Sequence, residues 1–224
     1  MLNDERISWE NETIGYRLKQ KILRSCTKRK RQQLDAELRD SIKSRNFTVI
    51  SQNCLGGVLY HCLGMKFLSP TINCCFDGPD FIRFAQNLPR YLEMDMVEVI
   101  TDKKTYPVGR LDDVYIYFVH YHTFKEAKQK WDARKKRINY DNIVVIGTDR
   151  DGMLLDNGLE EFDKIPYRKI MYTAKKYEGF SWVRHCKCWN SRSQIGIITA
   201  FINFSGMRYF EKYADLRLLI DDKK

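Results

Sequence analysis

The chain repeats one short unit, in which an apolar run suited to a strand ends in polar residues and a helical pattern follows. Runs rich in β-branched and aromatic residues occupy residues 47–50, 114–119 and 142–147. Runs of this composition and length are typical of buried strands. Because they alternate with helical segments, they predict an α/β layered domain with a central sheet that is mostly parallel or mixed.

Polar residues stand where each of these runs ends. Asn53 and Cys54 follow the first run, His120 follows the second, and Asp149 and Asp151 follow the third. In α/β folds the functional crevice lies at the carboxyl ends of the strands. We therefore expect these side chains to face one cleft.

Local signals also mark several boundaries. Thr123 begins a capping-box pattern that predicts the start of a helix. Pro89 should kink or split the helix predicted over residues 81–92. Residues 106–109 predict a turn, and residues 207–219 predict a last helix.

Cys54 is the candidate nucleophile. Asn53 is a good helix N-cap, so Cys54 is predicted to lie in the first turn of a helix, whose positive end lowers the pKa of a thiol. His120 would take the thiol proton, and amides near Gly56 and Gly57 would hold an oxyanion. These residue types predict Cys–His acyl transfer without a cofactor. A buried structural cysteine and a hydrogen-bonded structural histidine are the alternatives.

Asp149 and Asp151 suggest a second chemistry. Two carboxylates one residue apart after a buried strand can hold Mg²⁺ or Mn²⁺ with a nucleotide sugar, as in metal-dependent glycosyltransferases. Arg134 and Arg137 would add charge for the phosphates. A plain loop turn, or a salt bridge from one arginine to Asp149 or Asp112, explains the same residues without a metal.

The positive charge is concentrated near the N-terminus. The net charge is +10, and residues 17–45 hold eleven Lys/Arg against three Asp/Glu. Apolar residues recur at helical spacing over 14–22 and 34–42, so residues 1–45 are predicted to be a basic helix or helical hairpin separate from a domain at 46–224. Such a helix could bind an anionic membrane surface, dock on the domain, or form a homo-oligomer. Nucleic acid is disfavoured, because no recognition signature accompanies the basic residues.

Targeting signals are the basis for the expected location. No apolar run has the 18 or more residues of a membrane span, and residues 1–6 lack the apolar core of a signal peptide. We therefore expect a cytoplasmic protein with its seven cysteines reduced, peripheral at the inner face of the membrane if the basic helix binds lipid.

Ordered blocks of residues resemble one bacterial family. They are Ser51-Gln52-Asn53-Cys54-Leu55-Gly56-Gly57, Ser69-Pro70-Thr71, Tyr106-Pro107-Val108-Gly109, His120-Tyr121, Ala127, Trp131, Arg134, Arg137-Ile138-Asn139, Thr148-Asp149-Arg150-Asp151-Gly152 and Phe162. From about Phe47 to Leu219 the chain resembles domain of unknown function 1919, often labelled exopolysaccharide biosynthesis protein and found among surface-polysaccharide genes. The family commonly has Asn and Trp where this chain has Gln52 and Leu55.

The resemblance implies a role in assembling a surface glycan, either an exopolysaccharide or a lipopolysaccharide. It implies a transferase that takes a glycan or activated-sugar substrate, and it adds Asn139 to the candidate substrate-binding residues Asn53, Gly56, Gly57, Arg134, Arg137, Asp149 and Asp151. A component that binds a glycan or phosphate without catalysis is the remaining alternative.

Overall fold

The computed structural model describes residues 13–101 and 104–221. Its strands are β1 (Thr48–Ser51), β2 (Val97–Val99), β3 (Val108–Leu111), β4 (Val114–Tyr117), β5 (Ile143–Thr148), β6 (Arg168–Thr173) and β7 (Val183–His185). Its helices are α1 (Ile14–Cys26), α2 (Lys28–Ser41), α3 (Leu55–Cys62), α4 (Gly78–Gln86), α5 (Leu88–Glu93), α6 (Phe124–Lys135), α7 (Gly158–Asp163), α8 (Tyr209–Tyr213) and α9 (Leu216–Asp221), with a 3-10 turn at Lys187–Trp189.

A parallel sheet in the order β1-β5-β6-β7 forms the centre of the fold. Every residue of β1 and of β5 is buried, because helices and loops cover both faces. Core residues such as Phe76 and Trp131 belong to one apolar cluster, and Phe47, Tyr60 and Tyr172 belong to another. The predicted α/β layered architecture is therefore confirmed.

A second, antiparallel sheet has the order β2-β3-β4. The apolar run at 114–119 forms a strand only as far as Tyr117, and that strand belongs to this sheet. The turn predicted at residues 106–109 is wrong in part, because Val108 already begins β3. The tight turn comes later, at Asp112, which has a φ of 53°.

One loop joins the two sheets. The backbone of Cys75 pairs with that of Tyr117 in β4 through N–H···O bonds of 2.8 and 2.9 Å. The next residue, Phe76, donates its N–H to the carbonyl oxygen of Gln52, just beyond β1, at 2.9 Å. These bonds hold the end of β4 close to the end of β1.

Several local signals are confirmed. Pro89 lies at the start of α5, so the predicted helix is split after Gln86. The side chain of Thr123 accepts a hydrogen bond from the N–H of Glu126 at the start of α6. The predicted last helix is instead two short helices, separated by the extended residue Ala214, and β7 was not predicted.

Helices α1 and α2 form a helical hairpin, and residues 1–12 of the predicted N-terminal segment lie outside the described residues. Gln20 exchanges hydrogen bonds with the backbone of Phe201, at 3.1 and 2.9 Å, and Arg31 pairs with Glu211 at 2.6 Å. The stripe Ile14, Leu18 and Ile22 instead faces outward, with exposed fractions of 86%, 56% and 46%. The hairpin therefore docks through these polar bonds together with the buried side chains of Leu23 and Ile42, and the first apolar stripe does not dock on the domain.

Helix length bears on membrane insertion. Within the described ranges, no helix is both long enough and apolar enough to cross a bilayer.

Candidate active site

Cys54 and His120 are in direct contact. Cys54 Sγ lies 3.1 Å from His120 Nε2, although Cys54 follows a strand of the parallel sheet and His120 follows a strand of the antiparallel sheet. The sequence predicts Cys54 in the first turn of α3, but Cys54 stands one position earlier, at the N-cap of that helix. Asn53 caps the helix from one residue further back, where its Oδ1 accepts the N–H of Leu55 at 3.1 Å. The thiol is therefore beside the positive end of the helix and within reach of an imidazole.

The two side chains line a cavity of about 530 Å³, here called the Cys54 cleft. Most of its lining comes from the loops that follow β1, β4 and β5, from residues 196–199, and from one residue of α1. Its lining residues are Arg17, Asn53, Cys54, Cys75, Thr105, Tyr106, Val119, His120, Arg150, Asp151, Gly196, Ile197, Ile198 and Thr199. Since α1 supplies Arg17, the N-terminal hairpin contributes to the cleft, which the sequence did not predict.

The electrostatics of the cleft favour a thiolate. A hydrogen bond from the Cys75 thiol is the largest influence lowering the pKa of Cys54, and the hydrogen bond and positive charge of His120 add to it. Burial opposes both, but the pKa of Cys54 still falls to about 5. The same contact raises the pKa of His120. Each shift stabilises the other, so the contact favours a thiolate beside an imidazolium.

Cys75 is the site residue that sequence reasoning missed. It is buried, and its pKa is raised well above that of a free cysteine, first by burial and then by the hydrogen bond to Cys54. It therefore stays protonated and donates its S–H to the Cys54 thiolate. Nothing in the local pattern around Cys74-Cys75 distinguishes it from an ordinary core cysteine.

The position of His120 depends on a buried arginine. Arg134 Nη1 donates to the Tyr121 hydroxyl at 2.7 Å and to the carbonyl of Ile72 at 3.0 Å. Its guanidinium also lies 5.2 Å from the centre of the Phe67 ring. These bonds tie the residue after His120 to the segment that leads to Cys75. Arg134 is thus a positioning residue, and the predicted carboxylate partner for it, Asp149 or Asp112, is not observed.

Arg134, Arg137 and Asn139 are not brought to the Cys54 cleft as substrate-binding residues. Arg137 donates to the carbonyl of Phe67 at 3.2 Å. Asn139 bonds to Thr48 and to the carbonyl of Asn46, both at 2.9 Å. Because Thr48 begins β1 and Cys54 follows its other end, Asn139 lies at the opposite end of that strand, and neither arginine lines the cleft.

The two glycines of the helix start have packing roles. The N–H of Gly56 donates to Ser51 Oγ at 3.1 Å, so it does not point to an oxyanion in the cleft. A Cβ at Gly56 would lie 2.6 Å from the same oxygen, and one at Gly57 would lie 3.3 Å from Ile72. Neither glycine lines the cleft, and the oxyanion role predicted for them lacks structural support.

Asp149 and Asp151 do not face the same cavity: Asp151 lines the Cys54 cleft and Asp149 does not. Asp149 is buried and accepts the N–H of Ala174 at 2.6 Å and the N–H of Ile195 at 2.8 Å. Burial raises the pKa of its carboxyl to about 6. Only Asp151 lines the cleft, so the structure does not present the two carboxylates there as a pair. Among the residues described, no three His, Cys, Asp or Glu side chains are grouped so that they could hold a metal ion.

One family model and one relative match most of this chain. The family described as "Domain of unknown function (DUF1919)" matches residues 25–219 of this chain. An uncharacterized protein of Haemophilus influenzae is 35% identical over 195 residues, which cover 87% of this chain and 94% of that protein. The family match begins in α1 and includes α2, whereas the resemblance seen in the sequence began near Phe47. The division at residue 45 remains a prediction.

Proposed function

The chain belongs to the domain of unknown function 1919 family, and we propose that it is a group-transfer enzyme whose Cys54/His120 pair transfers an acyl group during assembly of a bacterial surface glycan. The observation that carries this proposal is the 3.1 Å contact between Cys54 Sγ and His120 Nε2 inside a cleft of about 530 Å³. The glycan context comes from the family resemblance and from no contact in the structure.

The proposed reaction has two steps. The Cys54 thiolate adds to the carbonyl carbon of an acyl donor, the bond to the leaving group breaks, and the His120 imidazolium gives that group its proton. Neutral His120 then accepts the proton of a glycan hydroxyl as its oxygen attacks the thioester. Cys54 leaves as a thiolate, and the imidazolium is restored.

Asn53 is the side chain best placed to stabilise the oxyanion. It lines the cleft, and its Nδ2 makes one long hydrogen bond, 3.5 Å, to Thr148. An amide nitrogen carries two hydrogens, so one donor is left for the substrate oxygen. This assigns to Asn53 the role first expected of the amides near Gly56 and Gly57.

The thiol chemistry is proposed ahead of metal-dependent glycosyl transfer. In that alternative Asp149 and Asp151 would bind Mg²⁺ or Mn²⁺ together, but both oxygens of Asp149 accept backbone N–H groups. Asp149 would have to give up these hydrogen bonds to bind a metal, whereas Cys54 and His120 are already in contact. A non-catalytic cleft that only binds its ligand is the outcome if the thiol proves unreactive.

The pH dependence of Cys54 alkylation tests the proposal. With its pKa near 5, the thiol should be fully ionised at neutral pH, and its rate with iodoacetamide should stay almost constant between about pH 6 and 8. An ordinary thiol, with a pKa of about 8.5, would gain roughly tenfold per pH unit over most of that range. Peptide mapping by mass spectrometry separates Cys54 from the exposed Cys26 and Cys188.

Variants of the two neighbours make this test specific. His120→Ala and Cys75→Ala should each raise the pKa of Cys54 and restore a rising rate, because each removes a group that stabilises the thiolate. Cys75→Ser keeps a hydrogen-bond donor, so it should stay closer to the wild-type profile. The proposal would be contradicted if iodoacetamide did not alkylate Cys54, or if His120→Ala left the pH dependence of its alkylation unchanged.

We also propose that the protein acts in the cytoplasm, at the inner face of the membrane, bound through α1. The outward stripe of Ile14, Leu18 and Ile22 lies on a helix with four Lys/Arg and no acidic residue. Exposed apolar side chains flanked by cations suit the surface of an anionic bilayer. Because Arg17 of the same helix lines the cleft, this orientation would hold the cleft beside the membrane.

Vesicle binding tests this location. Changing Ile14, Leu18 and Ile22 to serine should weaken binding to phosphatidylglycerol vesicles at least about tenfold, because each apolar side chain contributes up to roughly 1.5–3 kcal/mol when buried. Sedimentation with vesicles measures the bound fraction. Leu218→Ser, at an exposed leucine on α9, is the control and should bind like wild type. Equal binding by the triple variant, or preference for neutral phosphatidylcholine, would exclude this surface.

A further inference from the structure

A second cavity, of about 460 Å³, adjoins the Cys54 cleft and is here called the basic cavity. The two cavities share Arg17 and His120 among their lining residues. Lys21, Arg24 and Arg208 also line the basic cavity, and its described lining contains no Asp or Glu. Four permanently cationic side chains therefore surround a space that opens beside the proposed catalytic histidine.

Arg208 is the most buried of these cations. Its Nη1 donates to the carbonyl of Thr199 at 2.6 Å, and its guanidinium lies 4.4 Å from the centre of the Phe201 ring. Its Nε is buried without a hydrogen-bond partner among the described residues. The neighbouring carboxylate of Glu211 is already paired with Arg31 at 2.6 Å and accepts the Arg208 backbone N–H. A half-buried guanidinium in this state is stabilised when an anion enters the cavity.

The remaining cations come from another element of the fold. Arg17, Lys21 and Arg24 lie on one side of α1 and line the same cavity as Arg208. Several cations around one cavity suit an anion that carries more than one charged oxygen group. Guanidinium groups bind phosphate oxygens in pairs, which adds geometric specificity to the charge.

We propose that the basic cavity binds the diphosphate group of the donor substrate, with the reacting group of that donor extending past His120 to Cys54. This inference rests on the proposed function for the position of the donor, but the diphosphate site itself depends only on the cations. A diphosphate occurs in acyl thioesters of coenzyme A and in nucleotide-diphosphate sugars, so both donor classes share the chemistry that this cavity recognises.

Calorimetric titration with inorganic pyrophosphate tests the site. Wild type should bind it at about 0.15 M salt, and Arg208→Met should weaken binding by at least about tenfold, because a charge-assisted hydrogen bond is lost. Since Arg208 also packs on Phe201, a second variant avoids the interior. Lys21→Gln with Arg24→Gln changes exposed residues of α1 and should also weaken binding about tenfold or more.

The matched control removes the same charge elsewhere. Lys19→Gln with Lys28→Gln changes two exposed cations that line neither cavity, so it should bind pyrophosphate like wild type. If the control weakens pyrophosphate binding as much as Lys21→Gln with Arg24→Gln does, the effect is one of net charge alone. That result would overturn the proposal. Absence of pyrophosphate binding by wild type would overturn it directly.

Two further measurements identify the donor and separate this inference from the proposed function. Competition by coenzyme A points to an acyl thioester, whereas competition by uridine diphosphate points to a nucleotide sugar, and either supports the diphosphate site. Cys54→Ser should bind pyrophosphate like wild type even though it lacks the nucleophile. Normal pyrophosphate binding by a protein with an inert Cys54 would therefore contradict the catalytic proposal alone.

Discussion

Replacement of Cys54 with serine should abolish acyl transfer from p-nitrophenyl acetate, a simple activated donor. The Cys54 thiol is ionised at neutral pH because Cys75 and His120 stabilise its charge, whereas a serine hydroxyl in the same place stays protonated. Loss of a nucleophile in comparable enzymes reduces the rate by roughly 10³-fold or more, and we expect a loss of this order. Release of nitrophenolate gives the rate, and mass spectrometry locates the acetyl group.

His120→Ala should also lower the rate, by roughly tenfold or more at pH 7, because loss of the imidazole raises the pKa of Cys54 toward the ~8.5 of a free cysteine and fewer Cys54 thiols are ionised. Cys188→Ser replaces an exposed thiol outside the cleft and should leave the rate unchanged. An acetyl group found on Cys188 or on a lysine, with Cys54→Ser as active as wild type, would show that the reaction does not use the cleft. Unfolding by urea should be similar for Cys54→Ser and wild type, because the two side chains have nearly the same size.

Substitution of Gly78 by alanine should lower the free energy of unfolding by about 3 kcal/mol or more. Gly78 begins α4 and donates its N–H to the carbonyl of Asp151 at 2.7 Å. A Cβ there would lie 2.1 Å from the Cα of Met153 and 2.3 Å from its N, and backbone atoms cannot move aside as a side chain can. Relief of the clash requires α4 to separate from the loop that carries Asp151 into the cleft.

Urea or thermal unfolding measures this effect, and the melting temperature should fall by roughly 6–12 °C for a chain of this size. Gly15→Ala is the matched control, since no heavy atom lies within 4 Å of a Cβ at that position of α1. It should stabilise the protein slightly, by up to about 1 kcal/mol, because alanine favours a helix more than glycine does. A Gly78→Ala protein as stable as wild type would mean that α4 does not pack this closely on residues 151–153.

Much of the local structure was predictable from short-range signals. The β-branched runs at 47–50 and 142–147 lie in adjacent parallel strands, and Pro89 splits its helix. Backbone preferences and capping bonds of this kind depend on residues only a few positions apart. The turn at 106–109 was misplaced because Pro107 and Gly109 suggest a turn locally, whereas pairing with β4 makes Val108–Leu111 a strand.

The sequence by itself determined most of the central strands and helices, though not β3 or β7, and it indicated Cys54 and His120 by their places at the ends of apolar runs. Only the tertiary structure decided that His120 approaches from a second sheet, that Cys75 lies beside Cys54, and that Arg134 supports this arrangement from outside the cleft. It also decided that α1 turns Gln20 and Leu23, and not its apolar stripe, toward the domain. The physical reason is that these contacts join residues far apart in the chain. Periodicity shows that a helix has two faces, but the charge and shape of the surface it meets determine which face docks.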